Sequence, residues 1–118
     1  MKSRRPFIVV VVMAAVIIGA GLIALRNVGG GGQDRTFNLT VRANTMTPDI
    51  ISVKQNDRVT LNVSVDRTEE IHLHGYDILK TIHAGDTGVY QFTADKSGSY
   101  PIEIETTSTI VGHLVVSQ

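Results

Sequence analysis

The residues best suited to chemistry lie in the stretch EIHLHGYD, Glu70 to Asp77, where His72 and His74 stand two apart in an alternating apolar run. On a strand that spacing puts both imidazoles on one face, with Ile71 and Leu73 on the other. Two imidazole nitrogens on one face can chelate Cu(II), Ni(II) or Zn(II). The structural alternative is a polar pair on the solvent face of an edge strand. A second pair at the same spacing, Glu103 and Glu105, alternates with Ile102 and Ile104. If that face lies beside His74, Glu105 can add a carboxylate oxygen; otherwise the two glutamates are edge charges that discourage sheet-to-sheet association. His113, in IVGHLVV, points outward if Leu114 and Val116 point in, and completes the set of candidate ligands: His72, His74, His113 and Glu105. His83 sits in the turn sequence IHAGDTG, where a polar residue needs no further role. Met46 offers a thioether, but a lone methionine in a loop also serves as core filling.

Other chemistries lack their residues. The chain has no cysteine, which removes disulfides, zinc-thiolate sites and thiol nucleophiles together. Ser97, Ser99 and Ser108 have no G-x-S-x-G context, and the sequence reads as non-enzymatic. From Gln33 onward seven basic residues face eleven acidic ones, so a nucleic-acid footprint is not expected.

The elements that position the candidates follow from periodicity. From Asp34 the pattern has period two: Phe37, Leu39 and Val41, then Val59, Leu61, Val63 and Val65, alternate with polar residues. Turn sequences (MTPD, KQND, AGDTG, ADKSGS) recur every ten residues or so, as in a sandwich or barrel. Eight strands are expected, near 36–43, 50–54, 58–65, 71–75, 78–82, 89–94, 100–105 and 111–117, giving an all-β domain over 35–118. Such a domain is too small for a large interior pocket.

Ahead of it, Phe7 to Leu25 is an uncharged run of 19 residues, which as a helix spans ~28 Å, close to a bilayer core of ~30 Å. Lys2, Arg4 and Arg5 precede it and Arg26 follows, so positive-inside bias places the rest of the chain outside the cytoplasm, in the periplasm or at the cell surface. The segment 1–27 is therefore read as a single-pass membrane anchor. A cleaved signal, or one of twin-arginine type at SRRPFIV, is the alternative. Residues 28–34, with GGGG, form a glycine-rich linker.

TPDIISVKQNDRVTLNV, EIHLHGYD, IHAGDTGVYQFTADKSGSYPIEIE and the final GHLVV together resemble the cupredoxin superfamily, and within it EfeO-type cupredoxin-like domains. The resemblance implies a Greek-key β-sandwich. It also implies where copper would sit: a blue-copper site takes two histidines, a cysteine and usually an axial methionine, mostly from the loop between the last two strands. Here that loop, Glu103 to Gly112, supplies none of these, and the cysteine position falls at about Ile104. A thiolate-copper centre and its electron relay are excluded. HLHG also resembles the H-x-H-G element of multicopper oxidases. Two roles remain: a copper- or other divalent-metal-binding accessory using the His-x-His pair, or a metal-free module that packs on a membrane or envelope partner.

Overall fold

Alternation of apolar and polar residues builds every long strand. In Arg58–Val65 the side chains of Val59, Leu61, Val63 and Val65 are buried while their neighbours are not. The computed structural model describes residues 31–118; the expected anchor at 7–25 and the first part of the linker lie outside them. No helix among the described residues is long and apolar enough to cross a membrane.

Nine strands form: β1 (Asp34–Arg42), β2 (Thr45–Thr47), β3 (Ile50–Lys54), β4 (Arg58–Val65), β5 (Glu69–Leu73), β6 (Ile78–Ile82), β7 (Thr87–Thr93), β8 (Gly98–Ile104) and β9 (Thr109–Ser117). They pack as two sheets, ordered β2-β1-β4-β7 and β3-β9-β8-β5-β6. Neighbours are antiparallel except β1 with β4 and β3 with β9, which run parallel. Strand β2 is additional to the eight expected. Its middle residue, Met46, is 2% exposed and plugs the core. Within the loop where the resemblance would place blue-copper ligands, Glu105–Thr107 makes a 3-10 turn closed by Ser108 in the left-handed region (φ 54°).

The core joins Leu39, Val41, Leu61 and Val63 of the first sheet to Ile51, Ile71, Leu73, Ile102, Ile104 and Leu114 of the second. Burying each such side chain stabilises the fold by roughly 1.5–3 kcal/mol. Tyr90 of β7 fastens one sheet to the other: its ring is buried and its hydroxyl donates to the Ile71 carbonyl at 2.8 Å. The void bounded by Leu39, Leu61, Ile71, Tyr90 and Ile102 measures about 10 Å³, too little for a ligand.

Turns are set by side chains that cap them. At KQND, Asp57 accepts from the Lys54 amide at 2.9 Å while its own amide returns to the Lys54 carbonyl at 3.0 Å. Asn56 takes the left-handed conformation between them (φ 75°), which asparagine tolerates better than most residues.

Candidate metal centre

Register brings the two pairs found in the sequence together. In β5 and β8, His72 stands opposite Glu103, flanked by the inward pairs Ile71–Ile104 and Leu73–Ile102. Since Ile71, Leu73, Ile102 and Ile104 fill the core, His72 and Glu103 must face outward. His74 lies one residue past the end of β5, in the four-residue loop leading to β6. Its amide donates to the Pro101 carbonyl at 3.0 Å, which prolongs the ladder and keeps its side chain on the face of His72. Neither strand is an edge: β5 lies between β6 and β8, and β8 between β5 and β9. Neither pair therefore sits on an edge strand, because β6 and β3 occupy the edges of this sheet.

Each imidazole meets a carboxylate diagonally across the two strands. His74 Nε2 is 2.6 Å from Glu103 Oε1, and His72 Nδ1 is 3.1 Å from Glu105 Oε1. His72 Nε2 also approaches Asp77 Oδ1 at 3.4 Å. The two rings are stacked with a tilt, their centroids 4.0 Å apart and their planes at 36°. His72 and Glu103 are sheltered (17% and 16% of the side chain exposed), whereas His74 and Glu105 are more open (38% and 42%). The outer pair can adjust while the inner pair is fixed by packing.

One ligand atom from each of His72, His74, Glu103 and Glu105 lies within 4.8 Å of the others. Donors on opposite sides of a bound ion are ~4.0 Å apart when each bond is ~2.0 Å, so closing on an ion asks for shifts of less than ~1 Å. Two imidazole nitrogens and two carboxylate oxygens suit Cu(II), Ni(II) or Zn(II). On donor chemistry the residues fit a divalent ion.

The other candidates stand apart. His113 pairs with Pro101 on one side and Ile50 on the other, two strands from His74 and so ~10 Å across the sheet. The His83 ring nitrogen faces Thr68 Oγ1 at 3.3 Å, beyond the far end of β6. Met46 is enclosed in the core against Gly112. Glu103 belongs to the cluster, and Asp77 touches it through His72, without either having been singled out as a ligand by sequence. The signal for Glu103 was its spacing from Glu105, but the register that aligns it with His72 is not written in either segment.

Gly75 ends the stretch for two reasons. Its φ of 85° is in the left-handed region, and a Cβ there would lie 2.1 Å from Cδ1 of Tyr100. The Tyr100 ring, packed edge-on to Tyr76 with centroids 5.2 Å apart, takes the space beside the loop that carries His74. Lys96 closes the corner: its amine meets the Gly75 carbonyl and sits over the Tyr76 ring, 4.8 Å from the centroid.

No curated protein matches the sequence. Among solved structures, the chain is similar to the multicopper oxidase mgLAC (23% identity, TM-score 0.55), covering 71% of this chain and 39% of that one. It is similar to a copper binding protein in the apo form (15%, TM-score 0.60; 73% of this chain, 97% of that one). It is also similar to the metal binding domain of the Streptococcus pneumoniae Cu(I) exporting P-type ATPase CopA with Cu(I) (15%, TM-score 0.55; 73% and 97%). The chain thus spans about two fifths of the mgLAC chain, and at these identities the likeness is one of fold. The model of the cupredoxin-like domain matches residues 8–116. Nine strands in two sheets and a match over nearly the whole length lead to one conclusion: the chain belongs to the cupredoxin-like domain family.

Proposed function

We propose that this protein is a membrane-anchored, extracytoplasmic member of the family, close to the EfeO-type domains, that binds a divalent metal ion, copper foremost, as a non-catalytic accessory in metal handling. The observation that carries the reading is the convergence of two imidazoles and two carboxylates, within 4.8 Å, on the outer face of β5 and β8. His72 and Glu103, held by the ladder and by the core behind them, form the fixed half of the site. His74 and Glu105 form the adjustable half and admit the ion from solvent. A bound ion supplies positive charge to two carboxylates, each of which lies against an imidazole. Similarity of fold to a copper binding protein supports copper as the ion. The uncharged run 7–25 supports the anchor.

Calorimetric titration of the protein with Cu(II) and Zn(II) tests the site. Sub-micromolar binding is expected, weakened by at least ~100-fold in a His72→Ala, His74→Ala double variant whose circular dichroism is unchanged. No heat with either ion would leave the metal-free module as the reading to adopt.

A further inference from the structure

Resting on that site, we propose that it discriminates between oxidation states of copper: it retains Cu(II) and gives the ion up when a small-molecule reductant converts it to Cu(I). Three features of the chain carry this. All four converging donors are nitrogen or oxygen, whereas Cu(I) is selected by thiolate and thioether. Among the described residues no sulfur can be recruited on reduction, because the chain lacks cysteine and the one methionine there, Met46, is 2% exposed and locked against Gly112. Finally, the imidazole rings are stacked with a tilt and their centroids are 4.0 Å apart, whereas two ~2.0 Å bonds in line would hold the centroids ~6 Å apart, so they are not arranged for the linear two-nitrogen coordination that can hold Cu(I) without sulfur.

Charge works in the same direction. Glu103 and Glu105 neutralise a doubly charged ion and over-neutralise a singly charged one, with Asp77 adding further negative charge beside His72. The reductant can reach the site, since His74 and Glu105 are open to solvent. The electron balance is simple. An ene-diol or hydroquinone gives one electron to the copper ion and one proton to water, leaving a radical that disproportionates in solution. The protein donors keep their lone pairs, and only metal–ligand bonds break as Cu(I) leaves. The site would therefore load under oxidising conditions and unload under reducing ones, with no conformational change of the sandwich.

The test uses the full chain in mild detergent, loaded with Cu(II) or with Zn(II), and competed against chromogenic chelators for Cu(II) and for Cu(I). A Cu(II) affinity at least ~100-fold above that for Cu(I) is expected from the donor set. Ascorbate should transfer copper to the Cu(I) chelator and leave Zn(II) in place. Glu105→Met, which brings a thioether to the site, should narrow the gap by about tenfold or more. Cu(I) affinity within tenfold of Cu(II), or copper retained in ascorbate, overturns the inference while leaving the site intact. Failure to bind either divalent ion overturns both.

Discussion

Replacing Gly75 by alanine tests whether the loop carrying His74 is shaped as described. Two costs add. An alanine at φ 85° leaves the comfortable regions of the backbone map, which costs about 1–2 kcal/mol. Its Cβ would stand 2.1 Å from Tyr100 Cδ1, whereas carbon contacts settle at ~3.5 Å or more, so the ring must retreat by ~1.4 Å. That retreat breaks the bond whose single hydroxyl proton is shared between the carbonyls of Ser97 (2.8 Å) and Lys96 (3.0 Å). Losing an exposed bond of this kind and repacking the ring cost about 2 kcal/mol together. The sum is about 3–4 kcal/mol, which for a domain of this size lowers the melting temperature by about 12–30 °C. Thermal melting followed by circular dichroism measures it. Two controls separate the terms. Gly85→Ala shares the backbone cost (φ 90°) but meets no atom within 4 Å, so it should lose about 1–2 kcal/mol. In a Tyr100→Ala background, Gly75→Ala should cost no more than that. A fall below ~5 °C for Gly75→Ala, or equal costs with and without the Tyr100 ring, would refute the reasoning.

Tyr90→Phe removes the bond to the Ile71 carbonyl and should destabilise the domain by about 1 kcal/mol in urea titration. Burial raises the Tyr90 pKa, so the folded state holds this proton above pH 10, where the unfolded chain releases it. The resulting stability is intact below about pH 10 and drains as pH rises from there toward the folded value, and in the phenylalanine variant this alkaline loss should shrink to the part due to Tyr76, whose pKa burial also raises. Gly112→Ala would place its Cβ 2.3 Å from Met46 Cε and 2.5 Å from the Asp49 carbonyl oxygen. Because that oxygen accepts from the His113 amide at 2.9 Å, the obstacle is backbone, and a loss of about 2–4 kcal/mol should persist when Met46 is also shortened to alanine.

Most of the sandwich was legible because one face of each strand is buried. Val59, Leu61, Val63 and Val65 announce β4 and its inward face, and Ile50–Lys54 and Ile78–Ile82 have the expected bounds. Where expectation and structure part, a neighbour in space is responsible. Strand β2 carries one apolar residue, Met46, whose burial depends on the missing side chain of Gly112 about 65 positions later. Gly88 reads as part of a turn, yet it belongs to β7, because the tip of Ile82 occupies the space its side chain would need. In β9 the alternation breaks at Val111 and Gly112, both buried, where the pairing with β8 shifts register. The candidate site was half legible for the same reason. Period two tells which face His72, His74, Glu103 and Glu105 share within their own segments, but that β5 lies next to β8 is a property of the topology.

The side-by-side parallel course of β1 and β4 has a mechanical consequence. Eight residue pairs align from Asp34–Arg58 to Val41–Val65, and the chain enters this ladder at the Asp34 end. A tug applied through the preceding residues, drawn along the strand, would strain these bonds all at once as a lap joint and not peel them one after another like a zip. A domain tethered at that end would resist being pulled apart far better than its modest size suggests.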